Sequence, residues 1–304
     1  MKRQWRRVLV VGAGDIGRRV IAAIAARAAV SATTSTRGNR RQLRRLGAVP
    51  LSVDLDRRRT LARLPPAWDT LVHCAPPANH GRRDHRTRGL LRALFKVPNR
   101  SKSVARAIVY LSTSGVYGDH GGERVTESAP LMASNPRARR RADAERALVR
   151  ASRRHGARLV ILRVPGIYAT DRLPLARLRA GTPAILAAED SFTNHIHAAD
   201  LAAITVRAMR RAATRARPAM RTYNASDNSD MKMGDYFDLV ADAFGLPRPP
   251  RMPRDEVARA VSPMLWSFMR ESRRLDNTRI KRELRVRFQF PDVAAGVGFS
   301  RNML

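Results

Sequence analysis

Cysteine is almost absent from this 304-residue chain, Cys74 being the only one. It cannot pair within the chain or supply a multi-thiolate metal site, which excludes a disulfide scaffold and suits a reducing compartment. A small core residue is the plain expectation for it. Lysine is scarce as well. Of 59 basic residues five are lysines (Lys2, Lys96, Lys102, Lys232 and Lys281), which leaves 54 arginines against 25 acidic residues and a formal net charge of +34. Long apolar runs are missing too. "VIAAIAARAAV" is interrupted by Arg27, short of the roughly 18 residues that suggest a membrane span. The apolar stretch after the charged start "MKRQWRR" is soon broken by glycines, so neither a span nor an export signal is expected. The expectation is a cytoplasmic protein with no membrane partner.

The charge alone argues for polyanion partners, but its distribution does not. The arginines are scattered, as in "RRQLRRLGA", "RALVRASRRHGAR" and "RRAATRARP", and no zinc-finger, RNA-recognition or basic-zipper pattern accompanies them. Specific nucleic-acid binding is therefore not expected, although salt-sensitive nonspecific attraction is. No His/Cys cluster suggests a metal. A chain of this length can bury a core without staples, as one large domain or a domain with a dependent lobe.

"RVLVVGAGDIGRRVIAAIAARA" reads as a buried strand from Val8 to Val11, a glycine turn, and a helix in which Ile16, Val20 and Ile24 recur every four residues. Gly12, Gly14 and Gly17 have the spacing of a dinucleotide-binding turn. The first allows the tight bend, the second lets a pyrophosphate approach the backbone, and the third permits close helix packing. Phosphate would rest on the helix N-terminus, at Asp15 and Ile16.

An NAD site usually carries an acid about 20 residues further on, to hold the ribose hydroxyls. Between Asp15 and Asp54 this chain has no Asp or Glu at all. Arg37, with Arg40 or Arg41 beside it, is instead placed to meet a 2′-phosphate, which favours NADP and leaves NAD as the alternative; a chance arginine is the competing explanation in so arginine-rich a chain. The third strand, "AVPLSVDLD", is expected to end at Asp54 and Leu55, where a carboxylate could accept from an adenine amino group or cap a helix.

Further along come "TLVHCAPPAN", "AIVYLSTSGVYGD", "VILRVPGIYATDRLP", "NHIHAADLAAI" and "RTYNASDN", in that order. The ordered set resembles the extended and atypical short-chain dehydrogenase/reductases, in particular the NAD-dependent epimerase/dehydratase group of sugar-nucleotide and related enzymes, over nearly the whole chain. The resemblance implies that Ala75 and Pro76 line the cofactor and that Thr113 hydrogen-bonds the reacting oxygen. It also implies that Pro165 and Gly166 lie beside the nicotinamide, and that His197 and Asp200 match the family's His-Val-Asp-Asp segment.

In that family a helix after the Ser/Thr strand carries Tyr-x-x-x-Lys, with Pro before the Tyr and Ala-Glu a turn after the Lys. Anchored on Pro136 and on Ala144 with Glu145, "SNPRARRRADAE" puts Arg137 at the Tyr position and Arg141 at the Lys position. The resemblance therefore implies an active-site helix with an atypical active site. Arginine cannot act as the phenol, because its guanidinium stays protonated and only donates. Arg141 could supply positive charge to a cofactor ribose, and Arg137 could polarise an oxyanion, clamp a carboxylate or phosphate, or simply face solvent. None of the five tyrosines (Tyr110, Tyr117, Tyr168, Tyr223, Tyr236) is followed four places on by lysine. His195 and His197 have ordinary pKa values near neutrality and become the candidate replacement acids, His197 first; a helix-start hydrogen bond is the competing role.

The expected fold class is α/β: a doubly wound parallel sheet of Rossmann type over 1–170, and a smaller C-terminal substrate lobe over 171–304, with about 196–225 returning to the sheet. Helix signals over "MGDYFDLVADAF" stop at Gly245, and "ESRRLDNTRIKREL", residues 271–284, resembles the tail that often closes over nucleotide-sugar substrates, a polar helix with a core-facing Leu275 being the competing reading. The expected activity is that of an NAD(P)-binding oxidoreductase or epimerase/dehydratase-like enzyme. Its substrate would be a small molecule, a sugar nucleotide or other carbonyl or hydroxyl compound, and a homodimer is the family's habit. The competing reading is a non-catalytic NADPH-binding redox sensor or regulatory protein.

Overall fold

The computed structural model describes residues 5–65, 68–96, 106–214 and 218–303; Lys2 and Lys102 lie outside them. The chain divides into two compact units. The first comprises Met1–Val116, Pro136–Arg163 and Leu201–Tyr223, and the second Tyr117–Asn135, Val164–Asp200 and Asn224–Leu304.

In the first unit, strands and helices alternate: β1 Arg7–Val11, α1 Asp15–Ile24, β2 Ala29–Thr34, α2 Asn39–Arg45, β3 Ala48–Ser52, β4 Thr70–His73, α3 His85–Leu94, β5 Ala107–Thr113, α4 Pro136–His155, β6 Arg158–Val164, α5 Ala198–Ala213 and β7 Met220–Asn224. The strands form one seven-stranded parallel sheet in the order β7-β6-β5-β4-β1-β2-β3. The order reverses between β1 and β4, and that topological switch point opens a ligand crevice at the strands' carboxyl ends. Side chains alternate across the sheet. Leu9 and Val11 of β1 therefore join Leu90, Leu91 and Leu94 of α3 and Ala144, Ala147 and Leu148 of α4 in one core. On α1, Ile16, Val20, Ile21 and Ile24 are buried, the stripe that the four-residue spacing predicts.

α4 is held to the sheet by a buried ion pair. Glu145, 3% exposed, accepts from Ser112 Oγ of β5 at 2.5 Å and from Arg163 of β6, whose Nη2 lies 2.9 Å from Oε2. A second pair ties α4 to α3, where Arg88 donates through Nη2 (2.6 Å) and Nε (2.9 Å) to Asp143. Asp143 also accepts from the amide of Asp84, the residue that caps α3. β3 stops at Ser52, earlier than the sequence pattern suggests. Thr60 ends it by donating to the Asp54 carbonyl (2.6 Å) while accepting from the Asp54 amide (3.0 Å). Asp54 and Leu55 thus sit in a turn.

The second unit is built on short strand pairs and helices. Gly166–Tyr168 pairs in parallel with His195–His197. α6, Met233–Ala243, ends before Gly245, whose φ of +62° suits a residue without a side chain. α7, Val293–Met303, lies directly on Tyr168: a Cβ at Gly296 would come within 2.4 Å of that ring. The Tyr168 hydroxyl donates to the Asp292 carbonyl at 3.0 Å. Leu275 is buried with Tyr117 and Val125. Asn224 joins three segments, accepting from Tyr117 Oη (2.6 Å) and donating to the carbonyls of Val125 and Asp276 (3.0 Å each).

Glu145→Ala strands the Arg163 guanidinium in the core and should cost about 3 kcal/mol or more in urea unfolding; the double change with Arg163→Met should recover most of it, and an unchanged Glu145→Ala midpoint contradicts the assignment. Asp227 is 3% exposed, and burial, with Asp292 and Asp200 nearby, raises its carboxyl to about 7. A raised folded value means the native state holds the proton longer than the unfolded chain. The contribution of Asp227 is therefore intact below about 4 and is lost as pH climbs through about 7. His195, lowered to about 4 by burial, acts in the opposite sense between about 4 and 6.5. Asp227→Asn should thus gain stability over wild type between pH 5 and pH 8, by at most about 4 kcal/mol; a constant difference across that range refutes the shift.

Candidate functional site

The glycine turn lies at the switch point, and each glycine meets a different constraint. Gly12 has φ +88°, and a Cβ there would fall 2.5 Å from the Ala75 amide nitrogen. Its own amide donates to Thr33 Oγ1 at 3.1 Å, while the Cys74 and Ala75 amides both donate to the Val11 carbonyl. Gly17 packs against the turn: its Cβ would meet the Gly12 carbonyl at 2.5 Å. Gly14 faces open space, with nothing within 4 Å of a Cβ. It is also the N-cap of α1, where no side chain bonds the helix amides and the first intrahelical bond runs from Arg18 to Gly14. Helix N-termini present amide hydrogens and a positive dipole end. The cradle therefore fits an anionic phosphate group, with open space in front of Gly14.

The other expected contacts of the first unit divide by exposure. Asp15 is tied through Oδ1 to Arg19 Nε at 2.9 Å, and Ile16 is buried beneath the turn. Arg37 is exposed, three residues beyond the end of β2 and before α2. Asp54 Oδ1 accepts from the Asp56 amide at 3.0 Å, which fixes the turn it occupies. Ala75 is buried against Gly12, and Pro76 is exposed beside it. Cys74, next in line, has its thiol raised to about 12 by burial and is no nucleophile.

β5 and α4 supply the remaining first-unit candidates. Thr113 ends β5, and its Oγ1 accepts from the Gly115 amide at 3.2 Å. A Cβ at Gly115 would lie 3.8 Å from that of Ala138, so the first turn of α4 abuts the Thr113 strand end. Arg141 is 7% exposed, and its Nη1 donates to the Leu111 carbonyl at 2.9 Å, to Tyr110 Oη at 3.0 Å and to the Ala75 carbonyl at 3.4 Å. Its guanidinium therefore spans the ends of β4 and β5, and through Ala75 it adjoins the glycine turn. The Tyr110 phenol is raised to about 12 by burial, partly offset by Arg141, and His73, its ring neighbour, is lowered to about 3 by burial and Arg141. Neither group can exchange a proton near neutrality. Tyr110 and His73 were not singled out in the sequence, whose only signal for them was their place inside apolar strands.

Pro165, Gly166 and His197 belong to the second unit. A Cβ at Gly166 would meet the Asn194 carbonyl at 3.2 Å. His197 is 5% exposed; its Nδ1 accepts from the Ala199 amide at 3.2 Å and its ring lies 3.8 Å from that of Phe290. Asp200 accepts from the amides of Gln289 (2.8 Å) and Phe290 (2.9 Å). His197 thus makes a helix-start hydrogen bond, while Asp200 bonds the backbone at 289–290. His195 is not poised near neutrality as its residue type suggests, because burial holds it at about 4.

A sequence profile described as the NAD dependent epimerase/dehydratase family matches residues 8–225. Among curated proteins, none matches the chain in sequence. Among solved structures, a functionally unknown conserved protein from Silicibacter pomeroyi is similar at 27% identity and TM-score 0.80, over 98% of each chain. UDP-glucuronic acid 4-epimerase from Bacillus cereus, in complex with NAD, is similar at 17% identity and TM-score 0.73, over 97% of each chain. A human epimerase family protein with NADPH is similar at 18% identity and TM-score 0.69, over 98% of this chain and 100% of that one. At the lower identities the likeness concerns the fold, whereas the profile spans well over half of the sequence with the glycine turn inside it: the chain belongs to the NAD dependent epimerase/dehydratase family.

Proposed function

We propose that this protein is an NADP-binding enzyme that transfers hydride to and from a small hydroxyl or carbonyl compound, of which a sugar nucleotide is the leading class. One observation carries the reading: the open Gly14 position at the uncapped start of α1, placed at the switch point of the sheet. The amides of Asp15 and Ile16 would hold the pyrophosphate, and Ala75 and Pro76 the ribose side. Arg37 would meet a 2′-phosphate, Asp54 and Leu55 would border the adenine, and Pro165 with Gly166 would contact the nicotinamide. When bound, the nicotinamide accepts or gives the hydride. Two similar structures support a nicotinamide cofactor, one holding NAD and the other NADPH, and the sugar-nucleotide class is supported by the first of them, a UDP-glucuronic acid 4-epimerase.

Within the chain, Thr113 would orient the reacting oxygen by donating its hydroxyl proton, since its oxygen already accepts from Gly115. Arg141 would supply fixed positive charge beside the cofactor without taking part in proton exchange. His197 is assigned a positioning role in the second unit, because its Nδ1 is committed to the Ala199 amide. A homodimer and a cytoplasmic setting are part of the proposal; among the described residues no helix is long and apolar enough to cross a membrane.

A second reading, a non-catalytic NADPH sensor, is favoured by one specific observation. The Arg141 guanidinium is bonded to two carbonyls and a phenol that burial keeps protonated, an arrangement that provides no proton carrier. A carbonyl-reduction screen separates the two: turnover of any substrate by wild type supports the enzyme, whereas NADPH binding without turnover, with activity gained by Arg137→Tyr plus Arg141→Lys, supports the sensor.

Gly14→Val should leave the melting temperature within about 2 °C and weaken NADPH binding more than ten-fold, whereas Gly17→Val should destabilise the fold because its side chain meets the Gly12 carbonyl. Equal cofactor affinity in Gly14→Val would remove the assignment. Arg37→Glu should weaken NADPH by ten-fold or more and leave NADH nearly unchanged in a fluorescence titration; an unaltered NADPH-to-NADH ratio rejects the 2′-phosphate role.

A further inference from the structure

Among the described residues, the buried guanidiniums of Arg140 and Arg141 in the first unit have no carboxylate against them. Arg140 and Arg141 are 6% and 7% exposed. Arg140 Nη1 donates to the Gly81 carbonyl at 3.0 Å, and the bonds of Arg141 go to Leu111, Tyr110 and Ala75, all neutral acceptors. The Nε atom of each is buried without a hydrogen-bond partner. Nearby acids are already engaged: Asp143 with Arg88, Glu145 with Arg163, and Asp84 with the amides of Arg86 and Thr87.

The positive charge also sits where it is least welcome. Arg137, Arg140 and Arg141 occupy the opening turns of the 20-residue α4, at the positive end of its dipole. The Arg137 guanidinium is pushed below its ordinary value by desolvation and by Arg141 and Arg140. A buried charge without a counter-charge is costly, by several kcal/mol in general, and arginine cannot relieve it by losing its proton. An anion from outside the chain would. Opposite this turn the side chains are small, Gly115 facing Ala138, and the Thr113 hydroxyl stands beside them.

We propose that the start of α4, with Arg141 at its base, Arg137 one turn earlier and Thr113 across from them, is a seat for an oxyanion carried by the substrate, a carboxylate or a phosphate. The guanidinium fork matches either group with two parallel bonds. The substrates are then acidic: hydroxy or oxo acids, sugar acids, or phosphorylated compounds. Identification of the anion as part of a substrate rests on the proposed function above, in which Thr113, at the end of β5, orients the reacting oxygen. The cofactor's own phosphates are assigned elsewhere, to α1 and Arg37.

The test titrates the protein, with and without saturating NADPH, with malonate and separately with inorganic phosphate at low ionic strength, by calorimetry and by thermal melting. Wild type and Arg150→Ala, an exposed α4 control, should bind one of the two anions equally and melt higher in its presence. Arg137→Ala and Arg141→Met should each weaken that binding at least ten-fold and lose the thermal shift. Should Arg141→Met fail to fold, Arg137→Ala reads the same seat from the surface. Preference for malonate marks a carboxylate substrate, and preference for phosphate a phosphorylated one. Absence of binding by either anion, or binding unchanged in Arg137→Ala and in folded Arg141→Met, overturns the proposal. The cofactor titration is read separately: loss of NADPH binding with the anion seat intact defeats the functional reading alone, and the converse defeats the seat alone.

Discussion

The backbone at Gly12 runs so close to Ala75 that no side chain fits between them, and much of the first unit's crevice depends on that contact. It brings the ends of β1 and β4 together at the point where the strand order reverses. It directs the start of α1 toward the opening with its amides uncapped. It also places the Ala75 carbonyl within reach of Arg141, so that the glycine turn, the two strand ends and α4 share one set of neighbours. A larger residue at position 12 would separate these parts before any question of ligand affinity arose.

So arginine-rich a chain must give its buried and half-buried guanidiniums acceptors, and it does so in two ways. Arg163 and Arg88 meet carboxylates, and these pairs fasten α4 to the sheet and to α3. Arg140 and Arg141 meet carbonyls and a hydroxyl, which satisfy donors without neutralising charge. The difference separates arginines that hold the fold from arginines that leave a local field. Such a field is favourable only where a ligand of opposite sign completes it.

How much of this could be read from the sequence follows from the range of the interactions. The glycine turn was legible because the strand, the spacing and the helix stripe all lie within residues 8–24, and the structure shows a steric reason at Gly12 and at Gly17 and open space at Gly14. The sheet and its family followed from motifs in order. The end of β3 was placed too late, because Thr60, outside the apolar pattern, closes the turn at Asp54. The surroundings of Arg141 were not legible either: its acceptors come from Ala75, Tyr110 and Leu111, at least 30 residues away. His195 carried a neutral-range expectation from its residue type that burial overrides, and the raised Asp227 carboxyl depends on Asp292 and Asp200, which only the fold brings near.

The central claim is that the mouth of the Gly12 to Gly17 turn grips a pyrophosphate. The most direct measurement is a crystal structure of the protein grown with NADP. The account predicts pyrophosphate oxygens within hydrogen-bond distance of the Asp15 and Ile16 amides, with Gly14 in van der Waals contact. A well-ordered dinucleotide bound elsewhere, or crystals grown at saturating NADP in which that turn is closed by protein atoms, would contradict it.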